Sequence, residues 1–310
     1  MHNPKKNTNF AGKIKNKVFI RKMTQFLING LITGVLYSLL AIGFALVYNT
    51  TKIFHIAAAA LYVVAAYAFY TTVSLLHFPI LLGATVAVLI TMGVSLLVDL
   101  LVYRPLGKRH PITNVSLIAA VGVLTILVNI VVLFYGNAPK VVENSLKCTY
   151  KFGELILSQP QAWQAGIGLL VIIAFIVFIH KTSWGKRFRA LSDDEVLFST
   201  LGYNVHSTRN VVFLLSGALI AISSCLNVYE VGMDPNMGMN VLINALAAMI
   251  IGGIGRFDAC VLGGLTLGVI QSLVLMQLPS SWQTGVTFLI LMLFLFFRPQ
   301  GIAGYKQRTI

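Results

Sequence analysis

The chain has 310 residues, 57% of them hydrophobic and only 10% charged, with 23 bases against nine acids and a net charge of +14. A soluble domain carries about a quarter charged residues, so apolar surface on this scale calls for lipid, not for one water-facing core. The bases lie between apolar runs and not on one compact face, which excludes a nucleic-acid module and fits the positive bias of cytoplasmic membrane loops.

Residues 1–23 hold Lys5, Lys6, Lys13, Lys15, Lys17, Arg21 and Lys22 without an acid, and read as a disordered cytoplasmic arm drawn to anionic head groups. The apolar run after it is too long for a signal-peptide core and has no small-x-small cleavage site, so it reads as a retained first helix. Apolar stretches near 25–48, 53–76, 79–102, 114–135, 163–180, 209–230, 238–256, 259–278 and 283–298 approach or exceed the roughly 20 residues that span hydrocarbon. Basic clusters assign 104–109, 181–208 and the tail 302–310 to the cytoplasm, whereas the mixed loop 136–162 belongs outside. Cys148, Cys225 and Cys260 lack metal or redox spacing and read as small fillers.

Parity constrains the first quarter of the chain. If the amino-terminal arm and 104–109 are both inside, an even number of crossings separates them, yet three candidates occupy the interval. The segment 49–76 opens on Asn49-Thr50-Thr51-Lys52 and runs through an Ala57–Ala60 tract, so it is the one read as discontinuous or re-entrant. The alternative is an amino terminus outside despite its lysines. The expected architecture is an all-α integral membrane protein, a polytopic bundle of about eight transmembrane helices plus that segment, filling residues 24–301. Glycines at small-xxx-small spacing (Gly30/Gly34 and Gly264/Gly268), with Gly252, Gly253, Gly255 and Gly263, mark close helix packing.

At membrane depth, Asp99 is expected to pair with Arg104 near an interface, and Arg256 with Asp258 across a turn. Glu230 and Asp234 flank the outer end of the 209–230 helix. In the loop after 180, Ser192 can cap a short helix over 189–202, with Asp193, Asp194 and Glu195 at its start and Gly202 at its end. Two uses remain open for it: a grip for a cytosolic partner through Leu197 and Leu201, or a helix lying on head groups.

The run Arg189-Ala190-Leu191-Ser192-Asp193-Asp194-Glu195, followed by Leu201-Gly202-Tyr203-Asn204, resembles the coupling segment of branched-chain amino-acid ABC transporter permeases of the LivH type. Gln25-Phe26-Leu27-Ile28-Asn29-Gly30-Leu31 is similar to that family's opening and Tyr103-Arg104-Pro105-Leu106 to its first cytoplasmic signature. Asp234-Pro235, Met237-Gly238, Gly252-Gly253-Ile254-Gly255, Gly263-Gly264 and Arg298-Pro299-Gln300-Gly301 are similar to its carboxy-terminal half. The resemblance implies an inner-membrane permease subunit with both termini cytoplasmic, importing amino acids by alternating access. It implies a homologous second permease, two cytosolic ATPase subunits that bind the ATP, a periplasmic or lipid-anchored solute-binding protein and no nucleic acid. The chain itself lacks a Gly-x-x-x-x-Gly-Lys-[Ser/Thr] loop.

A zwitterion is held by dipoles more than by net charge, which nominates Asn29, Tyr37, Asn49, Thr50, Thr51, His55, Asn240 and Asn244 for the pathway. His55 has no neighbours that complete a metal set, and no catalytic constellation is present. Ala58 and Ala59 stand where the family carries His and Gly, and Gln271 where it carries Glu, so a urea or amide cargo stays open. A self-contained secondary transporter or channel is the reading from a different class. It would call for an intramembrane ion or proton relay.

Overall fold

A computed structural model describes residues 4–109, 113–142, 149–152, 155–298 and 300–303. Helix α1 (Pro4–Thr51) is followed by α2 (Ala58–Tyr70), continued by a π-helical turn at Thr71–Leu75. Helix α3 (Ile80–Val98) also ends in a π-helical turn, Asp99–Tyr103, before α4 (Arg104–Arg109) and α5 (Thr113–Tyr135). A two-stranded antiparallel hairpin, β1 (Thr149–Phe152) and β2 (Leu155–Ser158), pairs Thr149 with Ser158. Then come α6 (Gln159–Lys181), α7 (Ser183–Asp193), α8 (Glu195–Thr200), α9 (Val205–Val231), α10 (Met237–Gly252), α11 (Phe257–Leu275) and α12 (Gln283–Phe297).

Eight helical stretches among the described residues are long and apolar enough to cross a membrane, among them Arg21–Thr51 and Ala58–Leu75. The expected count holds, but its membership differs. The interruption after the first helix is confined to 52–57, and Ala58–Leu75 then covers 18 residues, about 27 Å of helix. The re-entrant reading of 49–76 is therefore corrected: its alanines are small because they are buried among helices, not because the segment is a weak span. The shorter apolar helix is α10, with 16 residues, or about 24 Å.

The break has local causes. Thr50 and Thr51 donate their hydroxyls to the carbonyls of Leu46 and Val47, each at 2.7 Å, and so finish α1. Lys52 then takes a left-handed conformation (φ 55°), which turns the chain out of the helix.

Helix α1 is the central strut, packed on α11, α9, α10 and α6. The glycine pairs make its contact with α11 possible: a Cβ on Gly30 would fall 2.9 Å from the Gly268 carbonyl oxygen, and one on Gly34 2.9 Å from Leu265 Cα. Gly263 and Gly252 similarly seat α11 on α10. Gly253 and Gly255, at φ 122° and 99°, serve the turn between those helices, a conformation glycine adopts without a Cβ clash. The outer faces of α3, α5 and α12 expose Leu81, Leu89, Ile118, Leu133, Phe134 and Phe296.

Cross-links define the two ends of the bundle. At one end, Lys52 Nζ donates to the Ser192 carbonyl (3.1 Å), Arg104 to the His206 carbonyl (3.2 Å), and His180 meets Asp258 (2.9 Å). Ala303 N joins this end through the Gly252 carbonyl. At the other end, Gln25 exchanges hydrogen bonds with the backbone of Ile156 (2.8 and 3.1 Å), and Gln164 donates to the Leu226 carbonyl (3.0 Å). The start of the membrane run of α1 thus shares an end with the hairpin, opposite 104–109, 181–208 and residues 302–303. The expectation that the amino-terminal arm and those segments lie on one side is corrected, because α1, α2 and α3 each run from one end to the other and three passages reverse the side. The arm is also helical: α1 begins at Pro4 and continues unbroken past residue 23.

Candidate functional site

The hairpin end opens into a cavity of about 720 Å³. Its wall carries Asn29 and Tyr37 from α1, Tyr62 from α2, Gln161 and Gln164 from α6, Asn227 and Glu230 from α9, Asn240 and Asn244 from α10, and Gln283 from α12, with Asp234 between α9 and α10. Among the described residues its charged ones are Glu230 and Asp234, with no Lys, Arg or His in the lining. Apolar patches from Ile32, Leu36, Leu40 and Val241 interleave with these polar groups. Helix α6 presents its glutamines here because it begins at a capping box. Ser158 Oγ accepts from Gln161 N (3.4 Å), and Gln161 Oε1 accepts from Ser158 N (3.2 Å).

Tyr37 is the hub of the polar floor. Its hydroxyl donates to Gln271 Oε1 (2.9 Å) and accepts from Asn244 Nδ2 (3.2 Å) and Gln283 Nε2 (3.1 Å). Thr287 Oγ1 accepts from Gln271 Nε2 and donates to Asn244 Oδ1, both at 2.8 Å. Every donor in this ring meets an acceptor, so four helices are pinned together without a net charge. Beyond the ring, Leu40, Phe44, Ala58, Ala59, Leu242 and Ala245 surround a small apolar space that separates the cavity from the coupling end.

Of the pathway residues proposed from sequence, Asn29, Tyr37, Asn240 and Asn244 come together here. Asn49, Thr50, Thr51 and His55 do not line it. Asn49 stands 12 residues beyond Tyr37 on the same helix, about 18 Å further along, and the hydroxyls of Thr50 and Thr51 turn back to their own helix. His55 is fully buried, with Nδ1 2.9 Å from the Tyr103 hydroxyl. Sequence reasoning did not nominate Gln161, Gln164, Asn227 or Gln283. The i, i+3 spacing of Gln161 and Gln164 at the start of an apolar helix was the available signal.

The segment expected as one helix over 189–202 is two helices. Thr182 caps α7, accepting from Gly185 N (3.3 Å), and α7 buries Phe188 and Leu191 against the bundle. Asp194 breaks the segment and caps α8, its Oδ1 accepting from Val196 N (2.8 Å) and Leu197 N (3.0 Å). The expected cap at Ser192 is corrected, since the longer side chain of Asp194 reaches two amides while Ser192 lies within the last turn of α7. Glu195 opens α8, and Gly202 ends the segment at φ 83°. Phe198 is buried and stacks on Tyr203, while Val196, Leu197 and Leu201 stand out from the bundle, 72%, 57% and 65% exposed. Arg189, Ser192 and Asp193 border a second cavity of about 520 Å³ at this end, with Lys52, His180 and Asp258. Ala190 is exposed on α7.

A polytopic helical bundle with a large polar cavity at one end and a pair of short helices at the other is the architecture of a membrane transport component. The sequence profile described as "Branched-chain amino acid transport system / permease component" matches residues 26–295, and the chain belongs to this family. It is 29% identical over 297 residues to the high-affinity branched-chain amino acid transport system permease protein BraD of Pseudomonas aeruginosa, covering 91% of this chain and 96% of that one. It is 26% identical over 297 residues to the corresponding LivH protein of Escherichia coli, with the same coverage. Among solved structures, PsaBC from Streptococcus pneumoniae in complex with Fab aligns with a TM-score of 0.50 and 14% identity. That alignment covers 89% of this chain and 92% of that one, a likeness of fold alone.

Proposed function

We propose that this chain is the permease subunit of an ATP-driven importer of branched-chain amino acids in a bacterial inner membrane. A homologous permease completes the path, two ATPase subunits bind and hydrolyse ATP in the cytoplasm, and a solute-binding protein delivers cargo at the hairpin end. The observation that carries this reading is the exposed apolar knob of Val196, Leu197 and Leu201 on α8, held at the end of the bundle away from the cavity. Such exposed apolar side chains, set at the end of the bundle, are anchors that a protein groove would desolvate. The cavity suits the cargo: carboxylates at Glu230 and Asp234 attract an ammonium, amides offer donors to a carboxylate, and Ile32, Leu36 and Val241 offer apolar surface to a branched side chain. The apolar layer beneath Tyr37 then acts as the closed gate of one access state.

The test is Leu197→Asp with Leu201→Asp. The variant inserts into the membrane at wild-type level but loses co-purifying ATPase and leucine uptake, since losing a few central anchors costs far more than losing rim charges such as Lys186. An assembled variant with normal uptake overturns the coupling assignment and favours a self-contained channel. Normal ATP-driven uptake of urea without leucine competition overturns the substrate.

A further inference from the structure

Away from the cavity, Asp99 is a buried charged residue at the α7–α8 end of the bundle. This carboxylate is fully buried in the π-helical end of the third passage. Both of its oxygens are used: Arg104 Nε donates to Oδ2 and Arg209 Nε to Oδ1, each at 2.7 Å. Arg104 opens α4, whereas Arg209 stands near the start of α9, shortly after α8 ends. Arg104 also reaches the Asn210 side chain and the His206 carbonyl, so three residues of the first turns of α9 are tied to one guanidinium–carboxylate cluster.

The cluster extends toward the break between α1 and α2. The Tyr103 hydroxyl lies 2.9 Å from His55 Nδ1, and the rings of Tyr103, His55 and Phe213 meet with centroids 5.5–5.9 Å apart. Lys52 Nζ, at the other end of the break, donates to the Ser192 carbonyl in the last turn of α7 (3.1 Å). The 52–57 segment is therefore held twice by the coupling region, directly through Lys52 and through Asp99 and Tyr103 by way of α9. Immediately after the break, α2 presents Ala58, Ala59 and Tyr62 to the apolar layer that closes the cavity. Asn49 Nδ2, His55 Nε2 and Arg209 Nη2 are buried without hydrogen-bond partners among the described residues, and all lie along this line.

We propose that Asp99 is a positioning residue for transport. It makes the start of α9, the end of the third passage and the 52–57 break move as one body with the coupling helices, so that force received at α8 is delivered to the gate through α2. Two charge-assisted bonds from separate elements to one carboxylate fix register far better than they stabilise, which is the use such buried clusters are best suited to. The proposal rests on the ATP-importer reading of α7 and α8.

The experiment compares wild type, Asp99→Asn and Tyr103→Phe as complete complexes, purified from native membranes with their own partner subunits and reconstituted in proteoliposomes. Assembly, basal ATP hydrolysis and leucine uptake per ATP are measured. In Asp99→Asn, assembly and basal hydrolysis persist while uptake per ATP falls about tenfold, within the range of ordinary coupling between sites. Tyr103→Phe, which removes only the hydroxyl facing His55, lowers the same ratio by less. An assembled Asp99→Asn complex with an unchanged ratio overturns the proposal, as does loss of uptake and hydrolysis in equal proportion. If Asp99→Asn does not assemble, Tyr103→Phe decides, and an unchanged ratio in that variant overturns it. Wild-type complexes without ATP-dependent uptake instead remove the importer reading on which the proposal stands.

Discussion

At the scale of single residues, Tyr37 has the clearest consequence. Its hydroxyl serves Gln271, Asn244 and Gln283 together, so Tyr37→Phe leaves an acceptor and two amide donors unmatched in a buried floor. The expected destabilisation is about 1–3 kcal/mol. The uptake rate of leucine should fall several-fold while the chain still co-purifies with its partners; wild-type uptake would reduce Tyr37 to a packing residue. Part of this ring was visible in sequence, because Tyr37 and Asn244, like Asn29 and Asn240 elsewhere on the cavity wall, are polar groups on otherwise apolar helices. What sequence alone does not carry is depth. Asn49, Thr50, Thr51 and His55 look as suited to a pathway as Tyr37, yet two of them satisfy themselves on their own helix and His55 is taken by Tyr103. Asp99 tells the same story: its bond to Arg104 is local and foreseeable, while Arg209 arrives from 110 residues away.

At the scale of elements, the existence of the membrane-length helices was legible, since a run of apolar residues as long as a bilayer is thick leaves few alternatives. The π-helical turns and the hairpin were not, because neither changes the run of apolar residues from which the spans are read. The misread element was α2, whose alanines lower its apparent hydrophobicity while fitting it against Gly238; a Cβ there would fall 2.5 Å from the Ala59 carbonyl oxygen. Counting α2 as a passage reverses the side of everything before it. In a cysteine-free background, an impermeant maleimide applied to intact cells should label Lys22→Cys and leave Arg187→Cys unlabelled until the cells are opened. Labelling of both positions, or of Arg187→Cys alone, would restore a different count.

At the scale of the whole molecule, the two ends are chemically distinct. One presents carboxylates and amides around a cavity, and the other presents arginines, a carboxylate clamp and an exposed apolar helix. An apolar layer separates them. This polarity of the bundle was foreseeable only in part, because the basic loops announced the coupling end while the acids at Glu230 and Asp234 looked like ordinary turn residues.

The unbroken first helix carries a consequence for how the protein is made. On the orientation proposed above, with α7 and α8 in the cytoplasm, the seven bases between Lys5 and Lys22 lie on the far side of the membrane. Moving them there against an inside-negative potential costs about 2.3 kcal/mol per charge per 100 mV. A nascent chain that has produced only this helix therefore holds its leading end back, and the final orientation is adopted once later helices give α1 a groove to occupy. A fragment of residues 1–60 should insert with Lys22 shielded from external reagent, and co-expression of residues 61–310 should bring that position out. Birth in one orientation and maturity in the other would make biogenesis of this subunit a late, cooperative event, sensitive to the membrane potential during synthesis and indifferent to it afterwards.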